Sequence, residues 1–255
     1  MIEALILGIV QGITEFLPVS STAHLILFPW FFNWSGKVNT LTFDVALHTG
    51  TLFALLLCFW RDWIELITKK RKLFGLIILA SIPAGVAGFL LNDLAEKYLR
   101  SPLLISFTLI AVGGVMLLAE KAFKYRPIEK TGLGDALIIG LAQAIAIIPG
   151  VSRSGITISA GLFRGFERDA AARFSFLLST PIIAGASALH LRKAFLGHET
   201  YDIQVFAIGS IASFVTGFIA IKFLLSYLKK HPLNLFVYYR FVLSLVIITG
   251  IWLKG

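Results

Sequence analysis

The fold is decided by two short polar stretches, QGITEFLPVSSTAH at residues 11–24 and PGVSRSGIT at residues 149–157. Each stretch is a proline-containing turn with several hydroxyl side chains, set in sequence that is otherwise apolar. The first carries a carboxylate, Glu15, and an imidazole, His24, whereas the second carries a guanidinium, Arg153. Ionisable groups at membrane depth are costly, so the default interpretation of such groups is a functional site.

The composition around these stretches is that of an integral membrane protein. Hydrophobic residues make up 57% and charged residues 15% of the 255 residues, and the mean hydropathy is +0.86. A soluble domain is nearer half apolar and a quarter charged. The net charge of +9 comes from basic residues grouped in a few loops between apolar spans. That grouping follows the positive-inside rule and argues against nucleic acid as a partner.

Six apolar stretches are long enough to cross a bilayer, which takes about 20 residues. They lie near residues 43–60, 73–91, 102–120, 170–190, 203–224 and 233–253. Two further apolar regions, 2–31 and 133–165, are interrupted by the polar turns, and each half of about 10–16 residues is too short to cross. We expect both regions to form helical hairpins that enter the membrane and return, because irregular backbone is tolerated there only when protein or a wet cavity surrounds it.

Charge bias sets the expected orientation. If the six spans alternate, the basic loops 61–72 and 121–131, the basic residues after the second hairpin and the 224–232 turn share one side, which is then the cytoplasm. Both chain ends then lie outside, and the hairpins enter from opposite faces. Six basic residues are left for the outer side: Lys37, Lys97, Arg100, Arg192, Lys193 and Lys254.

The two halves of the chain resemble each other at an offset of about 130 residues. Four residues of the first half recur 132 positions later, in the pairs Gly8/Gly140, Gln11/Gln143, Val19/Val151 and Ser20/Ser152. Each half, 1–125 and 126–255, holds one hairpin and three spans within a single membrane domain. Because three is odd, the second half must be inverted. Inverted repeats bring their broken helices together near the midplane, where a polar site forms.

The two halves differ in the residues that carry chemistry. Glu15 aligns with Ile147, Ser21 aligns with Arg153, and His24 likewise aligns with an isoleucine. A motif that served only packing would have no reason to diverge in this way. We therefore interpret the first hairpin as the acid–imidazole half and the second as the anion-binding half.

The second turn has the features of a phosphate site. The apolar sequence after the turn predicts a new helix, whose N-terminus offers unpaired N–H groups and a positive dipole end. Arg153 adds a bidentate donor, and glycine lets the backbone approach a ligand closely. The alternative is a capped turn in which Arg153 pairs with a buried acid. The predicted anion-binding residues are Gly150, Ser152, Arg153, Ser154 and Thr157.

The first helix offers oxygen ligands. Gln11 and Glu15 are four residues apart and share one helix face, so together they could hold a hard cation such as Mg²⁺ or Ca²⁺. Two alternatives stay open for Glu15. It could act as a general base or orient His24, or it could be the structural partner of Arg153.

The residues after Pro18 suggest an activated nucleophile. At least one hydroxyl of residues 20–22 is expected to cap the next helix, and Ser20 is also expected to contact substrate. His24 lies one turn beyond Ser21 on the same face. A hydroxyl beside an imidazole beside a carboxylate is the layout of an activated nucleophile. His24 could itself be the nucleophile, and the sequence does not choose between it and Ser21.

Other polar groups are assigned mainly structural roles. The i, i+4 pair Asp44 and His48 is expected to pair at a helix end, with support of the site as the alternative. Arg240, inside the last span, is expected to snorkel or to pair with Glu120, and a functional role is left open. A small-residue stripe, 209–217, predicts a helix-packing seam, within the monomer or in a homodimer.

These motifs resemble undecaprenyl pyrophosphate phosphatases of the bacitracin-resistance type. The resemblance rests on the Gln-x-x-x-Glu helix of residues 11–15, the FLPVSSTxH stretch of residues 16–24 and the PGxSRSGxT turn of residues 149–157, and it spans nearly the whole chain. Members of this family often carry Glu where this chain has Gln11. The substitution leaves Glu15 as the sole acid of the motif and weakens the case for two carboxylates on a metal.

The resemblance implies an enzyme of the bacterial inner (cytoplasmic) membrane with its site open to the periplasmic or extracellular side. It implies removal of the terminal phosphate from the C55 polyprenyl pyrophosphate released in cell-wall synthesis, resistance to bacitracin, and dependence on a divalent cation. The residues it implicates in catalysis are Glu15, Ser21 and His24, and those it implicates in holding the pyrophosphate are Ser152, Arg153, Ser154 and Thr157.

A lipid or anion transporter is the competing hypothesis, because inverted repeats with broken helices are a general transporter plan. An anion carrier would also use Arg153 and the serines. It would not need a nucleophile, an imidazole and an acid on the opposing hairpin, so Ser21, His24 and Glu15 favour the enzyme.

Overall fold

The computed structural model describes residues 1–38, 40–195 and 202–254, and this part of the chain is almost entirely helical. The side chains of Lys37, Arg192 and Lys193, which the charge pattern assigns to the outer side, lie outside the described part. Ten helices follow in order: α1 (Ile2–Phe16), α2 (Ser21–Phe32), α3 (Leu41–Thr68), α4 (Arg71–Tyr98), α5 (Pro102–Glu120), α6 (Leu133–Ile145), α7 (Arg153–Phe163), α8 (Arg168–Phe195), α9 (Ile203–Leu228) and α10 (Asn234–Lys254).

Six of these helices are long and apolar enough to cross a membrane, as predicted, and they are α3, α4, α5, α8, α9 and α10. The predicted span 102–120 coincides with α5, but α3 and α4 extend to Thr68 and Tyr98, well past the predicted ends. Hydropathy marks only the apolar centre of a span, whereas the helix continues into polar sequence at the interface. Many large apolar side chains on these helices are exposed, as expected for surfaces that face lipid.

The two interrupted regions form pairs of short helices, α1–α2 and α6–α7, as the polar turns predict. A proline lies in the turn that follows the first helix of each pair. Leu17, which precedes Pro18, has extended dihedral angles and ends α1, because the ring of a proline disfavours helical geometry in the preceding residue. In the second pair, α6 ends at Ile145 and Pro149 lies in the turn that follows.

The two halves of the chain use equivalent helices for their contacts with each other. Helix α1 packs on α9 and α6 packs on α4, so the first helix of each half meets the fourth helix of the other. The matched residues Gly8 and Gly140 mark both contacts. A Cβ at Gly8 would meet the Gly209 carbonyl oxygen, and one at Gly140 would meet that of Ala80. The third helices, α3 and α8, and the fifth helices, α5 and α10, also pack on each other.

The small-residue stripe on α9 packs inside the monomer. A Cβ at Gly209 would lie 2.6 Å from a Leu47 side-chain carbon, and one at Gly217 would lie 3.0 Å from the Phe16 ring. Between them, the Ser213 hydroxyl donates to the Leu47 carbonyl at 2.7 Å. The prediction that this stripe forms a helix-packing seam within the monomer is therefore confirmed.

Ionic contacts join the basic loops at one end of the bundle. Asp135, at the start of α6, accepts from Arg126 at 2.7 Å and from Arg164 at 2.7 Å. Burial alone would raise the pKa of the Asp135 carboxyl, but hydrogen bonds from Arg126, the Gly132 N–H and Arg164 lower it to about 2. The carboxylate therefore stays ionised at physiological pH. Glu120 binds Arg168, Lys124 and the Leu233 N–H in the same way.

We predict that Gly140→Ala lowers the free energy of unfolding by about 1–3 kcal/mol, because overpacking forces the backbone to move. The added Cβ would lie 2.5 Å from the Ala80 carbonyl oxygen and 2.9 Å from the Ala80 Cα atom. Thermal unfolding in detergent micelles measures the effect. The matched control is Gly114→Ala in α5, where a Cβ would meet no atom within 4 Å and helix propensity favours alanine. A Gly140→Ala protein as stable as the control would contradict the prediction.

Candidate active site

The two turns of the short helix pairs touch each other inside the bundle. The Ser154 hydroxyl, at the start of α7, donates to the Leu17 carbonyl at 3.1 Å. Beside this contact the guanidinium of Arg153 forms an ion pair with the carboxylate of Glu15. The acid of the first hairpin and the cation of the second are therefore in direct contact. The ion pair between Arg153 and a buried acid, which the alternative interpretation predicts, is therefore confirmed.

Matched serines with strained backbone begin α2 and α7. Ser20 has a φ of 77° and Ser152 a φ of 70°, values that non-glycine residues rarely adopt. Each serine caps its helix, with Ser20 Oγ accepting from the Ala23 N–H and Ser152 Oγ accepting from the Gly155 N–H. The predicted capping is therefore confirmed. Such strain costs about 1–3 kcal/mol and tends to occur at functional sites, and here it places the next residues, Ser21 and Arg153, at the first position of each helix.

Glu15 is the centre of the site. Its buried carboxylate accepts from the Ser21 hydroxyl at 2.6 Å and from the Gln11 amide nitrogen at 2.9 Å. The Nε2 atom of His48 lies 3.6 Å away, and Arg153 completes the surroundings. Hydrogen bonds to an ionised acceptor are short and strong, so Ser21 is held with its proton directed at a carboxylate, which is the geometry of an activated hydroxyl.

His24 is not the imidazole of this constellation. Its Nδ1 atom donates to the Ser20 carbonyl at 2.7 Å, and its Nε2 atom lies 2.7 Å from the hydroxyl of Tyr239. The expected contact of His24 with Ser21 is therefore wrong, because both ring nitrogens are engaged with other groups. The helical spacing placed the two residues on one face, but the imidazole turns toward α10.

His48 is the histidine that faces Glu15, a supporting role that the sequence analysis predicts only as an alternative. Its Nδ1 atom lies 2.7 Å from the Asp44 carbonyl, which directs Nε2 toward Glu15. The i, i+4 spacing of Asp44 and His48 was the only sequence signal. The contact that fixes the ring uses the backbone of Asp44, so residue types alone do not reveal it.

A cavity of about 320 Å³ opens beside Glu15. Polar groups from both hairpins line one part of its wall, and small or aliphatic side chains of α4 and α8 line another. Asp44 and Arg100 lie on its wall at the ends of α3 and α4 that are remote from the basic loop 61–72. The polar groups from the short helices and their turns are Glu15, Ser20, Ser21, Thr22, Gln143, Ser152 and Arg153.

Three predicted anion-binding residues lie behind the cavity wall. Gly150 has a φ of 91° and packs on α5, where a Cβ would meet the side chain of Thr108. Ser154 bonds to Leu17, and Thr157 bonds to the Arg153 carbonyl and the Ser175 hydroxyl, both at 2.7 Å. These contacts shape the turn, and a direct contact with substrate stays a prediction for all three. Ser20 and Ser152 do line the cavity.

Arg240 neither snorkels nor pairs with Glu120, so both expectations for it are wrong. Its side chain is fully buried in α10, and its guanidinium donates to five backbone carbonyls. The shortest bond, at 2.8 Å, goes to Gly150 in the second turn, and another of 3.3 Å goes to Pro18 in the first. The other acceptors are the carbonyls of Thr108, Leu109 and Val151. One side chain therefore ties both turns to α5.

A divalent cation fits this site only together with a bound anion. Within residues 1–38, 40–195 and 202–254, no group of three or more His, Cys, Asp or Glu residues gathers as a metal cage. The buried Gln11 amide oxygen, however, has no hydrogen-bond partner in that part of the chain, and Glu15 is adjacent. Mg²⁺ is commonly held by one or two carboxylates plus phosphate oxygens, so Gln11 and Glu15 would hold it with a phosphate ligand.

The fold and the site define a multi-pass membrane protein with a cavity lined by polar groups from the turns of two short-helix pairs. The chain belongs to the bacitracin-resistance family, since a family model described as "Bacitracin resistance protein BacA" matches residues 4–246.

Curated relatives align along nearly the full chain. An undecaprenyl-diphosphatase of Thermodesulfovibrio yellowstonii is 59% identical over 247 residues, covering 97% of this chain and 96% of the relative. Undecaprenyl-diphosphatases of Desulforudis audaxviator and Moorella thermoacetica are 48% and 49% identical, and each alignment covers at least 98% of both chains. The family resemblance inferred from the motifs is thereby confirmed.

We predict that Arg240→Gln lowers the free energy of unfolding by about 2–4 kcal/mol, since several buried carbonyls lose their donor. Thermal unfolding in detergent gives the measurement, and Arg71→Gln provides the control because Arg71 is exposed at the start of α4. Equal melting temperatures for the two variants would show that the carbonyl contacts of Arg240 do not hold the turns.

Proposed function

We propose that this protein hydrolyses undecaprenyl diphosphate to undecaprenyl phosphate and inorganic phosphate, recycling the lipid carrier for cell-wall synthesis and conferring resistance to bacitracin. One observation carries the proposal. The Ser21 hydroxyl donates to the Glu15 carboxylate on the wall of a cavity that Arg153 also lines. The names of the curated relatives supply the substrate.

The cavity accounts for both parts of such a substrate. The diphosphate lies against Arg153 and the start of α7, where a guanidinium and the N-terminal N–H groups of a helix favour a phosphate. The polyprenyl tail extends along the apolar wall, which includes Ala84, Ile182 and Ile183, and reaches the lipid between α4 and α8. A tail that stays in hydrocarbon loses none of its burial when the headgroup enters the site.

The reaction proceeds by two displacements at the terminal phosphorus. The Ser21 oxygen attacks this phosphorus while Glu15 accepts the hydroxyl proton, and the bond to the bridging oxygen breaks to release undecaprenyl phosphate. The proton on Glu15 passes to the departing undecaprenyl phosphate. Water then attacks the phosphorus of the phosphoserine and gives a proton to Glu15, and Glu15 passes this proton to the Ser21 oxygen as the bond to phosphorus breaks and inorganic phosphate is released. Arg153 stabilises the charge on the phosphoryl oxygens in both steps.

A divalent cation, Mg²⁺ or Ca²⁺, is part of the proposal. Glu15 and Gln11 would hold it with the diphosphate, and when bound it supplies charge stabilisation of the departing phosphate. The unpartnered oxygen of Gln11 supports this assignment. Because Glu15 also contacts Ser21, loss of its charge is expected to impair both cation binding and proton transfer from Ser21.

The proposed placement is the bacterial inner (cytoplasmic) membrane, with two inverted repeats whose re-entrant hairpins meet at the midplane. The equivalent packing of α1 on α9 and of α6 on α4 supports the repeat. Ion pairs join the basic loops at one end of the bundle, which supports placing that end at the cytoplasmic face of the membrane. Asp44 and Arg100, on the cavity wall at the opposite ends of their helices, support a site open to the periplasmic or extracellular side.

The same observations weigh against the competing transporter. A carrier needs an anion site but no hydroxyl bonded to a carboxylate, and the 2.6 Å contact of Ser21 with Glu15 is a feature of covalent catalysis. Oligomeric state is independent of this choice. The α9 stripe packs within the monomer, so a homodimer, if formed, uses another surface.

The proposal predicts phosphate release from undecaprenyl diphosphate by purified protein in detergent with Mg²⁺ or Ca²⁺. Ser21→Ala is expected to lower kcat by at least about 10³-fold, as loss of a nucleophile does. His24→Gln is expected to keep activity within about 10-fold, because His24 lies behind the cavity wall. Denaturation in SDS at neutral pH, which preserves both phosphoserine and phosphohistidine, during turnover of substrate with a 32P-labelled terminal phosphate should leave label on the wild-type protein and none on Ser21→Ala.

Three outcomes separate the hypotheses. No phosphate release by folded wild-type protein under either cation would remove the enzyme and leave transport, which a liposome assay measures. Label retained on Ser21→Ala but lost from His24→Gln would assign the nucleophile to His24. Arg153→Lys is the matched test of the anion site, and a loss of about 10²-fold is expected because lysine cannot form the bidentate contact.

We predict that chelation abolishes phosphate release and that Mg²⁺ restores it. Gln11→Leu is expected to raise the cation concentration for half-maximal rate about 10-fold while leaving the substrate KM at saturating cation nearly unchanged, since an amide oxygen is one ligand among several. Gln11→Glu should lower that concentration by supplying a second carboxylate. Full activity in chelator would exclude a cation from the reaction.

A further inference from the structure

Gln143 is a buried polar side chain without a hydrogen-bond partner in the part of the chain that the structure describes. It lies on α6, its side chain is 3% exposed, and neither its amide oxygen nor its amide nitrogen has a hydrogen-bond partner among the described residues. More than nine in ten buried polar groups in folded proteins are paired, so an unpaired amide requires an explanation. The side chain lines the same cavity as Glu15, Ser21 and Arg153, and this cavity is where it can find partners.

The matched residue of the first half shows how Gln143 differs. Gln11 lies in the last part of α1, and its amide nitrogen donates to Glu15 four residues later. Four residues after Gln143 stands Ile147, whose side chain can accept no hydrogen bond. Both amides are buried, but only Gln11 has a partner within its own hairpin, so the amide of Gln143 is left facing the cavity.

The neighbours of Gln143 favour an anion as its ligand. Within its hairpin, the polar groups on the cavity wall are Ser152 and Arg153, and no carboxylate of that hairpin lines it. Arg153 is shared with Glu15, so one guanidinium does not satisfy all the oxygens of a diphosphate. An amide NH₂ group offers two further donors without adding charge.

We propose that Gln143 is a substrate-binding residue whose amide nitrogen donates to the phosphate oxygens of the lipid diphosphate. The inference rests on the proposed function, because it assigns another ligand to the same site. If the amide oxygen of Gln143 instead bound a cation, a carboxylate at this position would strengthen cation binding, whereas it would repel a diphosphate. Gln143→Glu therefore distinguishes the two roles.

The test uses full-length protein in detergent and three variants. Gln143→Leu removes both polar atoms at similar volume, Gln143→Glu replaces the donor by a negative charge, and Gln204→Glu adds the same charge at an exposed position on α9. Binding of a non-hydrolysable polyprenyl methylenediphosphonate is measured directly, and KM, kcat and the Mg²⁺ dependence are measured with undecaprenyl diphosphate. Melting temperatures verify folding.

The proposal expects Gln143→Leu to weaken analogue binding about 10- to 100-fold, the loss of one hydrogen bond to a charged group. Gln143→Glu should weaken it further through repulsion, and Gln204→Glu should leave it unchanged. KM should rise more than kcat falls, with the Mg²⁺ concentration for half-maximal rate unaltered. If Gln143 had a purely structural role, its variants would have lower melting temperatures, but their affinities for the analogue would not follow this order.

Other results would overturn the inference. Wild-type affinity in Gln143→Leu would exclude a ligand role, and a lower Mg²⁺ requirement in Gln143→Glu would make the residue a cation ligand. Failure of wild-type protein to bind the analogue would also overturn it. If wild-type protein binds the analogue but releases no phosphate, the proposed phosphatase activity fails, whereas the order of binding among the variants still decides the role of Gln143.

Discussion

Backbone carbonyls in a turn inside a membrane need hydrogen-bond donors that lipid cannot provide, and the rest of this structure depends on how Arg240 meets that need. Its buried guanidinium donates to Pro18 in one turn and to Gly150 and Val151 in the other. A charge surrounded by neutral carbonyls is unusual, because buried cations are normally paired with acids. Five oriented carbonyl dipoles take the place of a carboxylate here and leave Glu15 available to the site.

The scaffold is nearly symmetric, but its chemistry is not. Ser20 and Ser152 repeat the same strained dihedral angles and the same capping bonds. The residue that follows each serine differs completely, with a hydroxyl at Ser21 and a guanidinium at Arg153. Equivalent backbone geometry therefore presents a hydroxyl from one side and a guanidinium from the other. A duplicated hairpin can produce a two-sided site by side-chain substitution alone, without any change in the turns.

Hydropathy and residue type were sufficient to predict much of this arrangement. The six spans, the two short-helix pairs, the capping serines and the contact between Glu15 and Arg153 all follow from apolar length, proline position and the cost of charge in a membrane. The choice between His24 and His48 does not follow, because helical spacing does not say which neighbour a histidine ring meets. Tyr239, on the last span, draws His24 away from Ser21, and only the packing of α10 reveals it.

The partners of Arg240 could not be predicted from the sequence either. A cation within an apolar span suggests an acidic partner, and the sequence analysis therefore names Glu120 as the candidate. That carboxylate is already satisfied by Arg168 and Lys124 at the end of the bundle. Backbone carbonyls carry no sequence signature, so a side chain that binds only carbonyls cannot be assigned its partners from residue types.

The contact between Glu15 and Arg153 also links substrate binding to catalysis in the proposed mechanism. The guanidinium binds Oε1 of Glu15 while the Ser21 hydroxyl donates to Oε2, and a carboxylate paired with a cation is a weaker proton acceptor. A diphosphate carries more negative charge than one carboxylate and presents several oxygens, so it draws the guanidinium toward itself, all the more strongly because water is scarce in a buried site. Glu15 is then free to take the Ser21 proton when a phosphorus atom is in place to be attacked. In the proposed mechanism, the ion pair that joins the two turns therefore also restrains Ser21 until the anion binds.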